Sequence, residues 1–136
     1  MKYGIDIDGT ITRFSTYFSE FTASCVGQGV QVHIVTSRSP LGRKDTVNEL
    51  ALLGVRYHHL HMLAPMSEAQ KLCPHTDIDW YAKHCWLKVD YARRHSITHF
   101  VDDELRVLQL FKRFLPNVVA MPPSDLVRAS GNWCRS

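Results

Sequence analysis

The stretch Lys2-Tyr3-Gly4-Ile5-Asp6-Ile7-Asp8-Gly9-Thr10 decides the fold. Its first residues alternate in polarity as a short strand does, and Asp-Ile-Asp-Gly-Thr then breaks the pattern into a turn. A strand that ends in two acids, a glycine and a hydroxyl delivers polar groups to the edge of a sheet. The rest of the chain must supply that sheet.

Outward from this stretch, strands and helices alternate. Thr16 to Val26 places Tyr17, Phe18, Phe21 and Cys25 at helical spacing, and Val30 to Thr36 is a β-branched strand. Ser39-Pro40 predicts a helix start, with Ser as cap and Pro first, and the helix should run to about Leu53 and stop at Gly54. Val55 to Leu63 is expected as a third strand. Pro65 to Asp79 is polar and broken by Pro74, so a loop with one helical turn at most is expected there. A helix over Trp80 to Arg94, a strand over Thr98 to Asp102, an apolar helix over Leu105 to Leu115 and a strand over Asn117 to Met121 complete the series. This alternation predicts an α/β fold, a Rossmann-like doubly wound parallel sheet of about five strands. With no repeat, low-complexity run or linker, residues 1–136 form one domain.

The bulk properties agree. The chain of 136 residues is 45% hydrophobic and 21% charged, ordinary for a globular protein, and its charge of +3 suits an anionic partner without requiring one. No apolar run approaches the roughly 20 residues that span a bilayer. The acidic start lacks a secretory apolar region, so a cytoplasmic location and no membrane partner are expected. The cysteines, Cys25, Cys73, Cys85 and Cys134, form no Cys-x-x-Cys pair and are expected to be reduced.

In such a sheet, ligands gather at the carboxyl ends of the strands. Asp6 and Asp8 end the first strand, Thr36, Ser37 and Arg38 the second, and Asp102 and Asp103 the fourth, with Lys88 fourteen residues before Asp102. Phosphoryl transfer needs such a set. A carboxylate can attack phosphorus, a lysine and a hydroxyl neutralise the equatorial oxygens, and a second acid protonates the leaving group. Several carboxylates in one place repel unless a cation lies between them, and Mg²⁺ suits oxygen ligands. Gly9 permits the sharp turn beside the acidic pair.

Asp6-Ile7-Asp8-Gly9-Thr10 resembles the first motif of the haloacid dehalogenase superfamily, and Val35-Thr36-Ser37-Arg38 the second. Lys88 matches the third, and Phe100-Val101-Asp102-Asp103 resembles the fourth. The resemblance spans residues 2 to about 121 and implies a phosphatase that hydrolyses phosphomonoesters with Mg²⁺ as cofactor. It implies Asp6 as nucleophile, Asp8 as general acid and then base, and Thr36 and Lys88 as further catalytic residues. Gly9, Thr10, Ser37 and Arg38 would bind substrate. The metal would be held by Asp6, the backbone carbonyl of Asp8, and one or both of Asp102 and Asp103.

Each motif also has a plainer explanation. Asp-x-Asp-Gly-Thr alone can be a solvated turn, Asp102-Asp103 can cap the following helix, and Thr36 can be an ordinary strand residue. Lys83 competes with Lys88, although its nineteen-residue gap to Asp102 fits the compact members of the superfamily less well. A continuous helix over Trp80 to Arg94 would place Lys88 mid-helix, whereas the superfamily has this lysine near a helix start. His59 and His61 share a strand face that His58 does not, and no third ligand at suitable spacing supports zinc.

Only 27 residues separate Asp8 from Thr36, and 51 separate Thr36 from Lys88, too few for a sizeable cap domain. An open, capless site is expected, closed by the substrate, a short flap near Ile11 to Phe14, or a partner subunit. The motif spacing looks similar to the phosphatase domain of polynucleotide kinase-phosphatases and to small 5′-nucleotidase-like proteins. Both imply a phosphate on a nucleotide or nucleic-acid end as substrate. A two-component receiver domain fits less well, because its double acid precedes its lysine. A phospho-accepting or non-catalytic regulatory module on the same fold is the alternative.

Overall fold

The structure, a computed structural model, describes residues 1–130; Trp133 and Cys134 lie outside the described residues. Five strands form one all-parallel sheet: β1 (Lys2–Ile5), β2 (Gln31–Thr36), β3 (His59–Met62), β4 (His99–Val101) and β5 (Val119–Met121), in the order β3-β2-β1-β4-β5. Parallel neighbours need crossover connections, and helices supply them. These are α1 (Ser15–Gly27), α2 (Arg43–Leu52), α3 (Met66–Leu72), α4 (Trp80–Arg94), α5 (Leu105–Phe114) and α6 (Pro123–Ala129).

Both faces of the sheet are covered, as the expected doubly wound architecture requires. In β2 the alternation sorts residues cleanly. Val32 and Ile34 join Phe18, Leu50 and Leu126 in one apolar core, beneath α1, α2 and α6. Val35 joins Trp86, Phe100 and Phe111 in the other, beneath α4 and α5. Residues 32–36 are all buried, the polar His33 and Thr36 included, as a strand covered on both faces requires. Gly4 lets β1 pass close to β4: a Cβ there would lie 2.5 Å from the Phe100 ring.

Among the described residues every strand belongs to this sheet, and the β1–β2 connection holds a single long helix, so no cap domain is present. Several boundaries differ from expectation, and α2 proper begins at Arg43, after a tight turn over Pro40–Gly42 in which the Ser39 hydroxyl accepts from the Leu41 amide. Residues 66–72, expected as loop, form α3, a seven-residue helix that buries only Ala69 and so carries little sequence signal. β3 begins at His59 rather than Val55, because the Val55 amide donates to the Leu50 carbonyl and closes off α2. β5 begins at Val119 rather than Asn117. Beyond the expected elements, residues 123–129 form α6, with Pro123 in its first turn, where a missing amide costs nothing.

Ile11 to Phe14, one of the three expected means of closing the site, is anchored at both ends, with Thr12 and Arg13 exposed between them. Ile11 is fully buried in the core and the Phe14 amide donates to the Thr10 carbonyl, which ties the segment down.

Candidate active site

The central strand β1 is flanked by β2 on one side and β4 on the other, and the crevice where the connections diverge lies at their carboxyl ends. The backbone ladder continues one residue beyond the strands. The Asp6 amide donates to the Val101 carbonyl, and the Asp102 amide to the Met121 carbonyl, at 3.0 and 3.1 Å. Both acids are therefore fixed by main-chain bonds before any side-chain contact is made.

Helix α4 brings the counter-charge. Its N-terminus is capped by Asp79, whose carboxylate accepts from the Ala82 amide, and it runs unbroken to Arg94. Lys88 thus sits mid-helix, so the expected helix boundary holds and a helix start at the lysine does not. Its Nζ lies 2.9 Å from Asp6 Oδ1 and 2.6 Å from Asp102 Oδ2, and all three residues are buried. Lys83, the competing candidate, is half-buried, and its side chain makes no hydrogen bond or ion pair among the described residues.

Burial dominates the acid–base balance. It raises the Asp6 carboxyl to about 7, with Asp102 adding to the rise and Lys88 opposing it. Asp102 is raised by the same desolvation. For Lys88 burial disfavours the charged form, but the two carboxylates outweigh it and hold the ammonium protonated.

Thr10 and Asp103 complete the cluster. The buried Thr10 hydroxyl donates to Asp6 Oδ2 at 3.1 Å, with Asp103 Oδ1 3.5 Å away. Gly9 adopts φ +80°, and a Cβ there would fall 2.1 Å from Asp103 Oδ2, so both the turn and the close approach demand glycine. The carboxylates of Asp6, Asp102 and Asp103 converge with one oxygen from each within 4.8 Å of one another. Three carboxylates against one ammonium leave excess negative charge, and the donors are all oxygen. The residues present fit a hard divalent cation such as Mg²⁺.

Asp8 stands apart from this cluster. Its side chain, 62% exposed, accepts two hydrogen bonds from Arg38, from Nε at 2.9 Å and Nη2 at 2.8 Å. Those bonds hold the Asp8 carboxyl below its ordinary range. Arg38 is held in turn from α2, by Glu49 at 3.0 and 3.3 Å and by the Thr46 hydroxyl at 3.3 Å.

A cavity of about 370 Å³ opens onto Asp6, Asp8, Ser37, Lys88, Asp102 and Asp103. Six of the residues picked out in the sequence thus share one concavity. Thr36, Gly9, Thr10 and Arg38 do not line it. Thr36 is fully buried with its hydroxyl accepting from the Arg38 amide, and the Thr10 hydroxyl donates to Asp6. The far wall, which sequence patterning missed, is built by Tyr81, His84, Cys85 and Glu104. A signal was present: Tyr81, His84, Cys85 and Lys88 share one helical face, by the three-and-four spacing.

The described free cysteines, Cys25, Cys73 and Cys85, are buried. Among the described residues no helix is long and apolar enough to cross a membrane. No zinc set forms around His59 and His61; the acidic triad is the metal-ligand cluster found among the described residues.

No protein-family model matches the chain. No curated protein matches it either. Among solved structures, it is similar to a chain in the structure of the Pnkp1/Rnl/Hen1 RNA repair complex, with a TM-score of 0.63 and 18% identity over 89% of this chain. The match covers 42% of that longer chain, and at this identity what the two share is the parallel α/β fold.

Proposed function

We propose that the chain is a Mg²⁺-dependent phosphomonoester hydrolase of the haloacid dehalogenase type, acting through an aspartyl-phosphate on Asp6. Its substrate class is a phosphate on a nucleotide or nucleic-acid end. The observation that carries this is the buried Asp6–Lys88–Asp102 arrangement beside Asp103, at the carboxyl ends of adjacent parallel strands. A structural ion pair has no need of a third acid, a cavity, or a glycine pressed against that acid. The likeness to a chain of an RNA repair complex supports the substrate class, and the resemblance of the four motifs supports the chemistry.

The residues divide the work as follows. Asp6 attacks phosphorus, the P–O bond to the leaving group breaks, and the leaving oxygen takes a proton from Asp8. Asp8 picks that proton up from solvent once Arg38 has left it for the phosphate, since the paired carboxyl is held in its charged form. Water then attacks the phosphoryl group, gives its proton to Asp8 and releases inorganic phosphate, which returns Asp6 to its starting state. Lys88 and Thr10 hold the Asp6 carboxylate in one orientation throughout. Arg38 offers its guanidinium to the phosphate, and the phosphate thereby competes with Asp8 for it. Asp6, Asp102 and Asp103 would hold Mg²⁺, which supplies charge neutralisation for the phosphoryl oxygens.

The test is hydrolysis of para-nitrophenyl phosphate and of phosphorylated oligonucleotides with Mg²⁺, by wild type and by Asp6→Asn. Activity is expected in the wild type and at least a thousandfold loss in the variant, on the order seen when a nucleophile is removed. Equal rates would sink the assignment of Asp6. A phosphorylated protein that accumulates without turnover would instead identify the phospho-accepting module.

A further inference from the structure

Helix α4 does more than deliver Lys88. Tyr81, His84, Cys85 and Lys88 lie along its cavity face, with Lys88 deepest against the acids and Tyr81 a full two turns away. The same cavity holds Asp6 and this face of α4, so a phosphate ester attacked by Asp6 can lay its alcohol portion along the helix. The polar group it meets one turn above Lys88 is the imidazole of His84.

His84 is unusual for a surface-helix histidine. It is 9% exposed and lines the cavity. Its Nε2 lies 3.1 Å from the Ala64 carbonyl oxygen. A carbonyl can only accept, so Nε2 carries the proton. Burial also holds the ring below its usual basicity, against the pull of the Ala64 bond, and so favours the neutral form. Nδ1 is then a lone-pair acceptor, and it has no hydrogen-bond partner among the described residues. A buried acceptor without a partner is costly unless something fills it, and the cavity is where that partner can stand.

The other polar groups on this face of α4 are engaged elsewhere or are poor acceptors. Lys88 is spent on Asp6 and Asp102, and Tyr81 donates its hydroxyl to Glu104 at 3.3 Å. Cys85 has its thiol raised to about 11 by burial, so it carries no charge.

We infer that His84 is a specificity-determining residue that accepts a hydrogen bond from a substrate hydroxyl on the carbon next to the phosphorylated one. This rests on the phosphatase reading above and narrows it. The favoured substrates carry a phosphate and a hydroxyl on adjacent carbons, as the 3′-phosphate of an RNA end does and that of a DNA end does not. A free sugar-type phosphate carries the same pair.

The experiment compares kcat/KM for oligoribonucleotides ending in a 3′-phosphate whose terminal 2′ position bears hydroxyl, hydrogen or fluorine. Fluorine accepts but cannot donate, so it separates an acceptor on the protein from a donor. Wild type is expected to favour hydroxyl over both others by about tenfold to a hundredfold. In His84→Phe, which keeps a ring but loses the acceptor, the three rates are expected to level. Should that variant not fold, the wild-type comparison stands alone. Glycerol 1-phosphate against propyl phosphate puts the same question to a small-molecule source. Hydrolysis without a hydroxyl preference in either set overturns the role of His84 and leaves the phosphatase reading standing. A fluoro substrate as good as the hydroxyl one also overturns it. Absence of any hydrolysis, para-nitrophenyl phosphate included, overturns both.

Discussion

Arg38 and Asp8, thirty positions apart in sequence, face one another through two parallel hydrogen bonds of 2.8 and 2.9 Å. The pair bridges the loops that follow β1 and β2, and Glu49 holds the far side of the guanidinium. A lysine cannot reproduce this planar grip. Arg38→Lys is expected to lower kcat/KM by roughly tenfold or more while leaving the unfolding midpoint within about 1 kcal/mol, since the pair is partly exposed. Steady-state kinetics and urea unfolding on the same samples check both halves, and an unchanged kcat/KM would remove Arg38 from the site.

Lys88 is the counterpart inside the molecule. Replacing it with Met leaves Asp6 and Asp102 buried without their cation. A loss of about 3 to 5 kcal/mol is expected, with activity abolished. Denaturant unfolding measures the first. The same substitution at Lys83 is expected to change neither by more than about 0.5 kcal/mol or a factor of two.

Mg²⁺ is expected to stabilise the folded chain, because its ligands converge only there. At a hundred times its Kd the gain is about 2.7 kcal/mol, seen as a rise in Tm. Asp103→Asn is expected to reduce that rise at fixed Mg²⁺ without the loss of fold that a buried Lys88 change brings, since Asp103 is exposed. A Tm in the wild type indifferent to Mg²⁺ would argue against the metal site.

Gly9→Ala tests the turn. At φ +80° an added Cβ is strained and would meet the Asp103 carboxylate. A cost of about 1 kcal/mol or more in stability is expected, together with weaker Mg²⁺ stabilisation as Asp103 is pushed aside.

His33 governs a separate pH response. It is buried in β2, between the Tyr91 hydroxyl and the Gln31 amide, both at 2.7 Å. Burial first, then the neighbouring His59, His95, Lys2 and His58, lower its pKa from 6.5 to about 4. The unfolded chain therefore takes up a proton below pH 6.5 that the fold refuses until about pH 4. Stability is whole above 6.5, falls across that window by about 3 kcal/mol, and stops falling below it. His33→Asn is expected to flatten that part of the pH profile relative to wild type, measured by urea midpoints at pH 7, 6 and 5.

Much of this was legible in the residues themselves. The strand Val30–Thr36 announces its burial through β-branched residues, and the acids stand at strand ends where a parallel sheet collects its ligands. Lys88 is readable by its distance from Asp102, and the structure sets it against both acids. What escaped has physical causes. α3 buries one residue and so shows no periodicity, and the short α6 that begins at Pro123 buries only Pro123 and Leu126. Glu49 and Thr46 lie eleven and eight residues beyond Arg38 on a helix with little amphipathic contrast, so their grip on it leaves no trace in the pattern. The wall formed by Tyr81 and His84 was visible only as the face shared with Lys88.

Lys88 meets a carboxylate 82 positions earlier and another 14 positions later. Those three charges have no means of finding one another until β4 has zipped against β1 and α4 has docked across them. Assembly of the reactive centre and closure of the sheet are therefore one event. A growing chain that has not yet presented Asp102 holds its first acidic motif without the second carboxylate that Lys88 needs to stay buried.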